Sequence, residues 1–381
     1  MIVGIPKEIG PSEKRVAATP ETVKKLALAG LDVRVQAGAG TEAFISDADY
    51  RTAGAKIAAD AKGLFSDSDV VLKVAKPEPS EIELMKSGVY LISFLQPLIN
   101  GDLVEKLAVA GVNSLAIDAI PRIARAQRLD ALSSQSNIAG YKAVLMAADT
   151  VGRMMPLMMT AAGTVSAAKV LILGAGVAGL QAVATAKRLG AIVEVFDVRP
   201  AVKEQVESLG AKFVELEVQG DGAEDKGGYA KQLSADDHAR EQKLIGEHVH
   251  ISDIVITTAL IPGKKAPILI TKEMVDSMKH GAVIVDLAAE GGGNCELTEL
   301  GKNVVCGGVT IMGPENVPSR IAAQSSQLYA RNVMNLLLDI VKDGKVTIDL
   351  ADEIIKGALI THEGKVIHEA TLRVIQKEGA K

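Results

Sequence analysis

The chain has 381 residues, of which 48% are hydrophobic and 23% charged, a globular composition that excludes a disordered chain. At roughly 100–200 residues per domain, this length predicts about two domains. The net charge of -5, the lack of Trp and the 3% aromatic content argue against a nucleic-acid partner, because a basic field and stacking platforms are both missing.

Histidine and cysteine are unevenly placed. All six histidines follow residue 237: His238, His248, His250, His280, His362 and His368. An acid–base or metal site in the N-terminal part would therefore lack imidazole.

The two cysteines, Cys295 and Cys306, predict a reducing compartment without a disulfide framework. No metal-ligand pattern surrounds them, so we interpret them as buried or idle thiols.

The most apolar stretch runs from Met154 to Ala186, and a membrane span needs about 20 apolar residues. Because Pro156, Lys169 and a glycine-rich turn interrupt this stretch, it predicts a buried strand and helix instead of a span. The N-terminus lacks a basic segment followed by a long apolar core, so we expect no signal peptide.

The first third of the chain alternates apolar runs with helical segments. Thr19 is a candidate N-cap for a helix over Pro20–Leu28, and Gly30 follows its end. Such alternation with short loops predicts parallel strands joined by right-handed crossovers. The expected strands are Ile2–Ile5, Leu31–Gln36, Val70–Val74, Val89–Leu95 and Val112–Ile117, and further helices are expected over Glu81–Met85 and Leu103–Ala110.

A second α/β unit begins at Lys169, after a helix expected from about Ile138 to Met154. Its strands alternate with helices and predict a doubly wound sheet of dinucleotide-binding type. They are expected at Val170–Leu173, Ile192–Phe196, Phe213–Leu216, Ile254–Thr258, Val283–Leu287 and Val309–Met312.

The C-terminal part begins with a long amphipathic helix, since apolar residues recur at helical spacing at Val333, Leu336, Leu337, Ile340 and Val341. A hairpin over Ala358–Thr361 and Lys365–His368 is expected to return to the first domain. The expected fold class is α/β, with two Rossmann-like doubly wound parallel-sheet domains joined by long helices and a cleft between them. Residues 1–137 with 325–381 would form one domain and residues 138–324 the other.

A dinucleotide fingerprint opens the second domain, where the strand ends in Gly174-Ala175-Gly176-Val177-Ala178-Gly179 and a helix over Leu180–Leu189 follows. The first glycine permits a tight turn, the second admits a pyrophosphate, and the third permits close packing of helix on strand. The free N–H groups of the helix N-terminus favour phosphate. We expect all six residues of the turn to contact the cofactor.

Asp197 ends the next strand, where an acid can accept hydrogen bonds from the adenosine ribose. Its charge would repel a 2′-phosphate and therefore favours NAD over NADP. Arg199 could accept that phosphate, so the residues alone leave NADP open. We include Val198 with them in the candidate site. The alternative interpretation is a glycine-rich turn in an unliganded domain.

A second glycine pattern, Gly38-Ala39-Gly40-Thr41-Glu42-Ala43, also follows a strand. Asp47, Asp49 and Arg51 come after it where an apolar helix run is needed, so we interpret it as a turn.

Two polar segments carry further candidates. Residues 121–137 concentrate amide, hydroxyl and guanidinium groups that would suit a nicotinamide and its ribose, or else form a solvated linker. The glycine-rich segment 219–229, which ends at Tyr229, is either a lid or an exposed loop. In the first domain, Arg15, Lys73 and Lys76 could bind a substrate acid, although lysines at strand ends usually lie on the surface.

At these residues the sequence resembles the alanine dehydrogenase/nicotinamide nucleotide transhydrogenase family over nearly its whole length. The resemblance is carried by the Gly174 turn and by Gly4-Ile5-Pro6-Lys7-Glu8, Lys14-Arg15-Val16-Ala17, Thr257-Thr258-Ala259-Leu260-Ile261-Pro262-Gly263 and Val285-Asp286-Leu287-Ala288. The catalytic lysine and histidine of alanine dehydrogenases are missing, because their positions match Ala75 and Gln96.

The transhydrogenase branch is the better match. Its signature resembles Pro121-Arg122-Ile123, Arg125-Ala126-Gln127, Asp130-Ala131-Leu132-Ser133-Ser134-Gln135, Asn137-Ile138-Ala139-Gly140-Tyr141, Thr160-Ala161-Ala162-Gly163-Thr164-Val165 and Gly227-Gly228-Tyr229-Ala230-Lys231. Arg128 departs from it, since the family usually has a small residue there.

This resemblance implies the NAD(H)-binding alpha component of the Re/Si-specific, proton-translocating NAD(P)+ transhydrogenase. In that family, hydride passes directly between NADH on this component and NADP+ on a partner subunit, and membrane subunits couple the exchange to proton movement. Carried over, the nicotinamide end would be positioned by Arg122, Gln127, Asp130 and Ser133. Further cofactor contacts would come from Arg125, Gly228, Tyr229 and Leu260.

The resemblance also implies an NADP(H)-binding beta subunit and a membrane-spanning subunit as partners, a homodimer, and a peripheral position on the cytoplasmic side of the inner membrane. The alternatives are a self-contained NAD-dependent alanine dehydrogenase-like enzyme and a non-enzymatic NAD-sensing module.

Overall fold

A computed structural model describes residues 1–215, 235–261 and 263–378, with side chains omitted at 235–238 and 377–378. The chain divides into two compact units, Met1–Gln135 with Ser319–Lys381, and Ser136–Pro318. Each contains a parallel sheet flanked by helices, which confirms the expected α/β class with Rossmann-like domains.

The first unit is built on six parallel strands. They are Ile2–Ile5 (β1), Asp32–Gln36 (β2), Lys56–Ala58 (β3), Val70–Leu72 (β4), Tyr90–Ser93 (β5) and Asn113–Ala116 (β6). Their order, β3-β2-β1-β4-β5-β6, places β1 at the centre and reverses direction there, as in doubly wound folds. Helices Pro20–Leu28 (α1), Asp47–Thr52 (α2), Ala61–Asp67 (α3), Pro79–Ile82 (α4) and Gly101–Val109 (α5) connect the strands.

The second unit begins with a separate hairpin of Met158–Thr160 (β7) and Gly163–Val165 (β8). Its main strands are Lys169–Leu173 (β9), Ile192–Phe196 (β10), Lys212–Val214 (β11), Ile254–Thr257 (β12), Val283–Asp286 (β13), Asn303–Cys306 (β14) and Val309–Met312 (β15). The sheet has the same order as the first with one added strand, β11-β10-β9-β12-β13-β15-β14. Strands β12 and β13 are buried at every residue, because helices cover both faces of the sheet.

Helix Ala131–Thr150 (α6) leads into the second unit, which also contains Val177–Arg188 (α7), Lys203–Ser208 (α8), Ala235–Ile251 (α9) and Lys272–Asp276 (α10). One apolar core contains Val144, Ile172 and Val183. Leu171, Val249 and Ile284 belong to a second core, and the alternation of Leu171 and Ile172 along β9 shows that the two cores lie on opposite faces of the sheet.

The C-terminal tail returns to the first unit, as expected. Helix Ala322–Ile340 (α11) is followed by the hairpin Val341–Lys342 (β16) and Lys345–Val346 (β17), and then by helix Glu353–Ala358 (α12). Strands Leu359–His362 (β18) and Lys365–Val366 (β19) extend the first sheet in antiparallel fashion beyond β6. Helix Glu369–Glu378 (α13) ends the described chain.

Several expected elements need correction. The helix expected from Ile138 begins at Ala131, because Asp130 caps its first turn. Val341 leaves the long helix and opens a hairpin. The short strands β3 and β14 went unrecognised, since edge strands of three or four half-exposed residues carry little apolar signal. Strand β11 ends at Val214, and Leu216 lies outside the described residues.

Candidate dinucleotide-binding site

The Gly174 turn joins β9 to α7. Gly174 has a φ of +102°, and a Cβ there would lie 2.5 Å from Thr258 Oγ1, so only glycine fits. A Cβ on Gly176 would meet no atom within 4 Å. Gly176 is the N-cap of α7, and the free N–H groups of the first helical turn begin beside this open space. The space and the donors fit a pyrophosphate group.

Two other glycines set the position of α7. A Cβ on Gly179 would lie 1.8 Å from the carbonyl oxygen of Gly174, so the helix packs directly on the turn. A Cβ on Gly140 would lie 2.0 Å from the carbonyl oxygen of Ala178, so helix α6 packs closely against the same first turn. The fingerprint predicted the first contact. The role of Gly140 was missed, although a glycine inside a helix is a signal of close packing.

Asp197 follows β10 and is buried beside the turn. Its Oδ2 accepts a hydrogen bond from the backbone N–H of Ala175 at 2.7 Å. Arg199 also contacts the carboxylate, with Nε 2.8 Å from Oδ1 and Nη2 2.7 Å from Oδ2. The hydrogen bond to Ala175 places Asp197 beside the Gly174 turn, and its contact with the adenosine ribose stays a prediction. The partnership with Arg199 was not foreseen.

The loop after β12 packs against the Gly174 turn. Thr258 donates its hydroxyl hydrogen toward the carbonyl oxygens of Gly174, at 3.1 Å, and Leu173, at 3.3 Å. Leu260 lies two residues further on, and the residue is 49% exposed. Leu260 therefore offers an apolar surface on the loop that Thr258 attaches to the turn.

In the first unit, Asp130 and Ser133 are partners of each other. Asp130 accepts hydrogen bonds from the Ser133 backbone N–H at 2.8 Å and from its hydroxyl at 2.6 Å. This is the geometry of an N-cap, and it explains why α6 begins at Ala131. Both side chains remain half-exposed.

The segment before Asp130 contains a 3₁₀ helix, Ala124–Leu129. Arg125 forms a two-pronged ion pair with Asp352, at 2.8 and 2.7 Å, and Arg128 pairs with Asp339 at 2.5 Å. Gln127 is exposed, and its amide makes no hydrogen bond to the part of the chain that the structure describes. Among these residues, the Gln127 side chain is therefore available to a ligand without a loss of protein contacts.

Comparison with known proteins assigns both parts of the chain to one family. A model of the "Alanine dehydrogenase/PNT, N-terminal domain" matches residues 4–139, and one of the "Alanine dehydrogenase/PNT, C-terminal domain" matches residues 143–369. The chain belongs to the alanine dehydrogenase/PNT family. The resemblance read from the motifs is thereby confirmed.

Among the relatives compared, the chain is more similar to transhydrogenase subunits than to alanine dehydrogenases. It is 50% identical to an NAD(P) transhydrogenase alpha subunit of Rhodospirillum rubrum, over 97% of this chain and 98% of that protein. A transhydrogenase structure from Sinorhizobium meliloti has a TM-score of 0.84 at 48% identity, over 97% of this chain and 100% of that one. An L-alanine dehydrogenase also reaches a TM-score of 0.84 but at 28% identity, over 99% of both chains.

The expectation that Lys73 lies on the surface, as strand-end lysines usually do, was wrong. This lysine, which follows β4, is 1% exposed and donates hydrogen bonds to Glu8 at 3.0 Å and Glu81 at 2.7 Å. Arg15 is buried too, with its Nη2 2.6 Å from Glu13 Oε2. Of the three cations considered for a substrate acid, only Lys76 is exposed. A strand-end lysine can be buried when two carboxylates surround it, here Glu8 from a loop and Glu81 from helix α4.

Gly228 and Tyr229 lie outside the described residues. Within the described ranges, no group of three or more His, Cys, Asp or Glu side chains could hold a metal ion. No helix there has both the length and the apolar composition required to cross a membrane.

Proposed function

We propose that this chain is the NAD(H)-binding component of a proton-translocating transhydrogenase. It holds NADH while hydride passes directly to NADP+ on a separate subunit. The observation that carries this proposal is the Gly174 turn, where open space at a helix N-terminus lies beside the buried Asp197. The relative named as an NAD(P) transhydrogenase alpha subunit supports the reaction type.

Hydride exchange makes few chemical demands on the protein. The nicotinamide supplies the hydride chemistry, and the protein must hold the reacting rings at roughly 3–3.5 Å and exclude water. No proton donor is needed. In this proposal the Gly174 turn binds the pyrophosphate and Asp197 holds the adenosine ribose. The nicotinamide end is oriented by Arg122, Gln127, Asp130 and Ser133, with Gln127 also reaching toward the partner's nucleotide.

A self-contained alanine dehydrogenase-like enzyme is the second candidate. It requires a general acid–base and a cation near the substrate. Ala75 and Gln96 stand at the matching positions, and neither can supply such a group. Gln96 has a φ of 47° and donates its backbone N–H to Asp118 Oδ2 at 2.8 Å. The transhydrogenase component is therefore favoured over the alanine dehydrogenase-like enzyme. Reduction of NAD that depends on alanine would favour the dehydrogenase instead.

The partners we propose are an NADP(H)-binding beta subunit, a membrane-spanning subunit and a second copy of this chain. The hairpin of β7 and β8 supports the second copy. Met159 is 75% exposed and Val165 44% exposed on this two-stranded ribbon, which is too small to be stable alone. With these partners, the complex would place the chain at the cytoplasmic face of the inner membrane.

Hydride exchange tests the proposal directly. The protein is mixed with an isolated NADP(H)-binding subunit, and reduction of an oxidised NADP analogue by NADH is followed by absorbance. Gln127→Ala should lower the exchange rate at least about 10-fold without lowering the midpoint of unfolding, because no described contact is lost. Gln376→Ala, an exposed glutamine on α13, is the matched control. A folded wild-type protein that binds NADH but never exchanges hydride would support the NAD-sensing module.

A further inference from the structure

Asn294 is fully buried in the loop after β13 and uses every polar atom of its side chain. Its Oδ1 accepts a hydrogen bond from the Ala259 backbone N–H at 3.0 Å. Its Nδ2 donates to the carbonyl oxygens of Ala259 at 2.9 Å and Pro267 at 2.8 Å. One side chain thus binds both backbone groups of Ala259.

The backbone of Asn294 is held as firmly as its side chain. Its carbonyl oxygen accepts hydrogen bonds from the N–H groups of Leu269 at 2.8 Å and Ile270 at 3.0 Å. Its own N–H donates to Asp286 Oδ2 at 2.7 Å. Asp286 is fully buried at the end of β13. It also accepts hydrogen bonds from Thr257 Oγ1, the Ala288 N–H, the Cys295 N–H and Thr298 Oγ1.

Ala259 and its neighbours connect this network to the dinucleotide turn. Thr258 donates its hydroxyl to the Gly174 carbonyl oxygen at 3.1 Å. The Ala259 nitrogen lies 3.5 Å from the position of a Cβ on Gly174. Leu260 packs over Gly291, where a Cβ would come within 2.8 Å of Leu260 Cδ2. A displacement at Asn294 would therefore reach both Leu260 and the turn.

We propose that Asn294 and Thr258 are positioning residues for the dinucleotide. Asn294 fixes the backbone of Ala259, and Thr258 fixes that backbone against Gly174, so together they set the width of the site between Leu260 and the turn. This inference rests on the proposed binding of NADH. Neither residue need touch the reacting atoms, and their effect is on NADH affinity through the shape of the site.

Asn294→Asp is the sharpest test, because it changes hydrogen bonding with almost no change in volume. The introduced carboxylate cannot donate to the two carbonyl oxygens and also faces the charge of Asp286. A protonated carboxyl group restores one donor. We expect the NADH dissociation constant to rise at least about 10-fold at about pH 8 and to recover partly at about pH 6. Circular dichroism at both pH values separates this effect from a loss of folding, because protonation of a buried carboxylate also restores stability.

Asn303→Asp is the matched control, since Asn303 is exposed on the edge strand β14 and the change in charge is the same. It should leave the NADH dissociation constant unchanged at both pH values.

A second pair of variants tests the hydrogen bond from Thr258 to the Gly174 carbonyl oxygen. Thr258→Val removes the hydroxyl and should weaken NADH binding about fivefold, whereas Thr258→Ser should retain the wild-type value. If Asn294→Asp does not fold, the two Thr258 variants still test the positioning role.

NADH binding is measured by fluorescence titration, with circular dichroism as the check on folding. Wild-type affinity in folded Asn294→Asp at high pH, or in Thr258→Val, would overturn the positioning role while the proposed function stands. Failure of the wild-type protein to bind NADH would overturn both.

Discussion

The guanidinium group of Arg199 and the carboxylate of Asp197 form two parallel hydrogen bonds of 2.8 and 2.7 Å. The backbone N–H groups of Arg199, at 2.9 Å, and Ala175, at 2.7 Å, bind the same carboxylate. Four hydrogen bonds thus already occupy the Asp197 carboxylate. In the proposed NADH complex, a ribose hydroxyl would compete with the Arg199 side chain for Asp197.

Arg199→Met should consequently tighten NADH binding. The variant removes the group that competes with ribose for Asp197, and we expect the NADH dissociation constant to fall by about 3- to 10-fold. Binding of NADPH should weaken, because the cation able to meet a 2′-phosphate is lost. Parallel fluorescence titrations with NADH and NADPH measure both effects. Weaker binding of NADH by the folded variant would show that Arg199 assists the cofactor.

Asp197→Ala should act in the opposite direction. Loss of a hydrogen bond to a charged acceptor costs about 1.5–3 kcal/mol, which corresponds to a rise of at least about 10-fold in the NADH dissociation constant. Lys212→Ala provides a control, because Lys212 is an exposed residue that pairs with Glu194 in the same unit. Equal NADH affinity in Asp197→Ala and the wild type would exclude the ribose role.

Lys73→Met should strongly destabilise the first unit. The ammonium group of Lys73 lies between the buried carboxylates of Glu8 and Glu81, which raise the pKa of Lys73 although burial opposes its charge. Without it, two buried acids lose their counter-ion, and the free energy of unfolding should fall by about 3–5 kcal/mol. Urea denaturation measures this loss. The nearby Lys76→Met changes an exposed lysine and should cost at most about 0.5 kcal/mol, and equal losses in the two variants would contradict this account.

The ion pair of Arg125 and Asp352 should contribute a defined dependence on pH. Hydrogen bonding to Arg125 lowers the pKa of Asp352 from its ordinary 3.8 to about 2. Because the folded pKa is the lower one, this stabilisation is present above the ordinary value and is lost as the pH falls toward about 2. Asp352→Asn keeps the cap of α12 but removes the titration. Below about pH 4, wild-type stability should therefore fall more steeply with pH than that of the variant. Parallel pH profiles from urea denaturation would refute the assignment.

The two cysteines should react at very different rates with a thiol reagent. Cys295 is buried, and burial raises the pKa of its thiol to about 11, so little thiolate forms at neutral pH. Cys306 is partly exposed on the edge strand β14. One thiol should react quickly in the folded protein and the second only after unfolding in urea. Cys306→Ser should abolish the fast phase, and a fast phase that survives in this variant would place Cys295 at the surface.

Local patterns predicted much of the fold and the dinucleotide turn. The structure of residues 169–179 could be predicted locally, because neighbouring residues specify the buried strand, the three glycines and the start of the helix. Helix α1 was predicted with its observed bounds from the N-cap candidate Thr19 and from Gly30 after its end. The roles of Arg122, Gln127, Asp130 and Ser133 came from the resemblance and remain predictions.

By itself, then, the sequence determined the order of the longer strands and helices, the turn at Gly174 and the family. Only the tertiary structure decided how polar groups distant in sequence are paired. Lys73 meets Glu8 across 65 positions, and Asn294 meets Ala259 across 35. Such pairs leave no periodic signal, since each depends on where separate loops end at the edge of a sheet. The high cost of burying an unpaired polar group then makes these pairings essential to the folded chain.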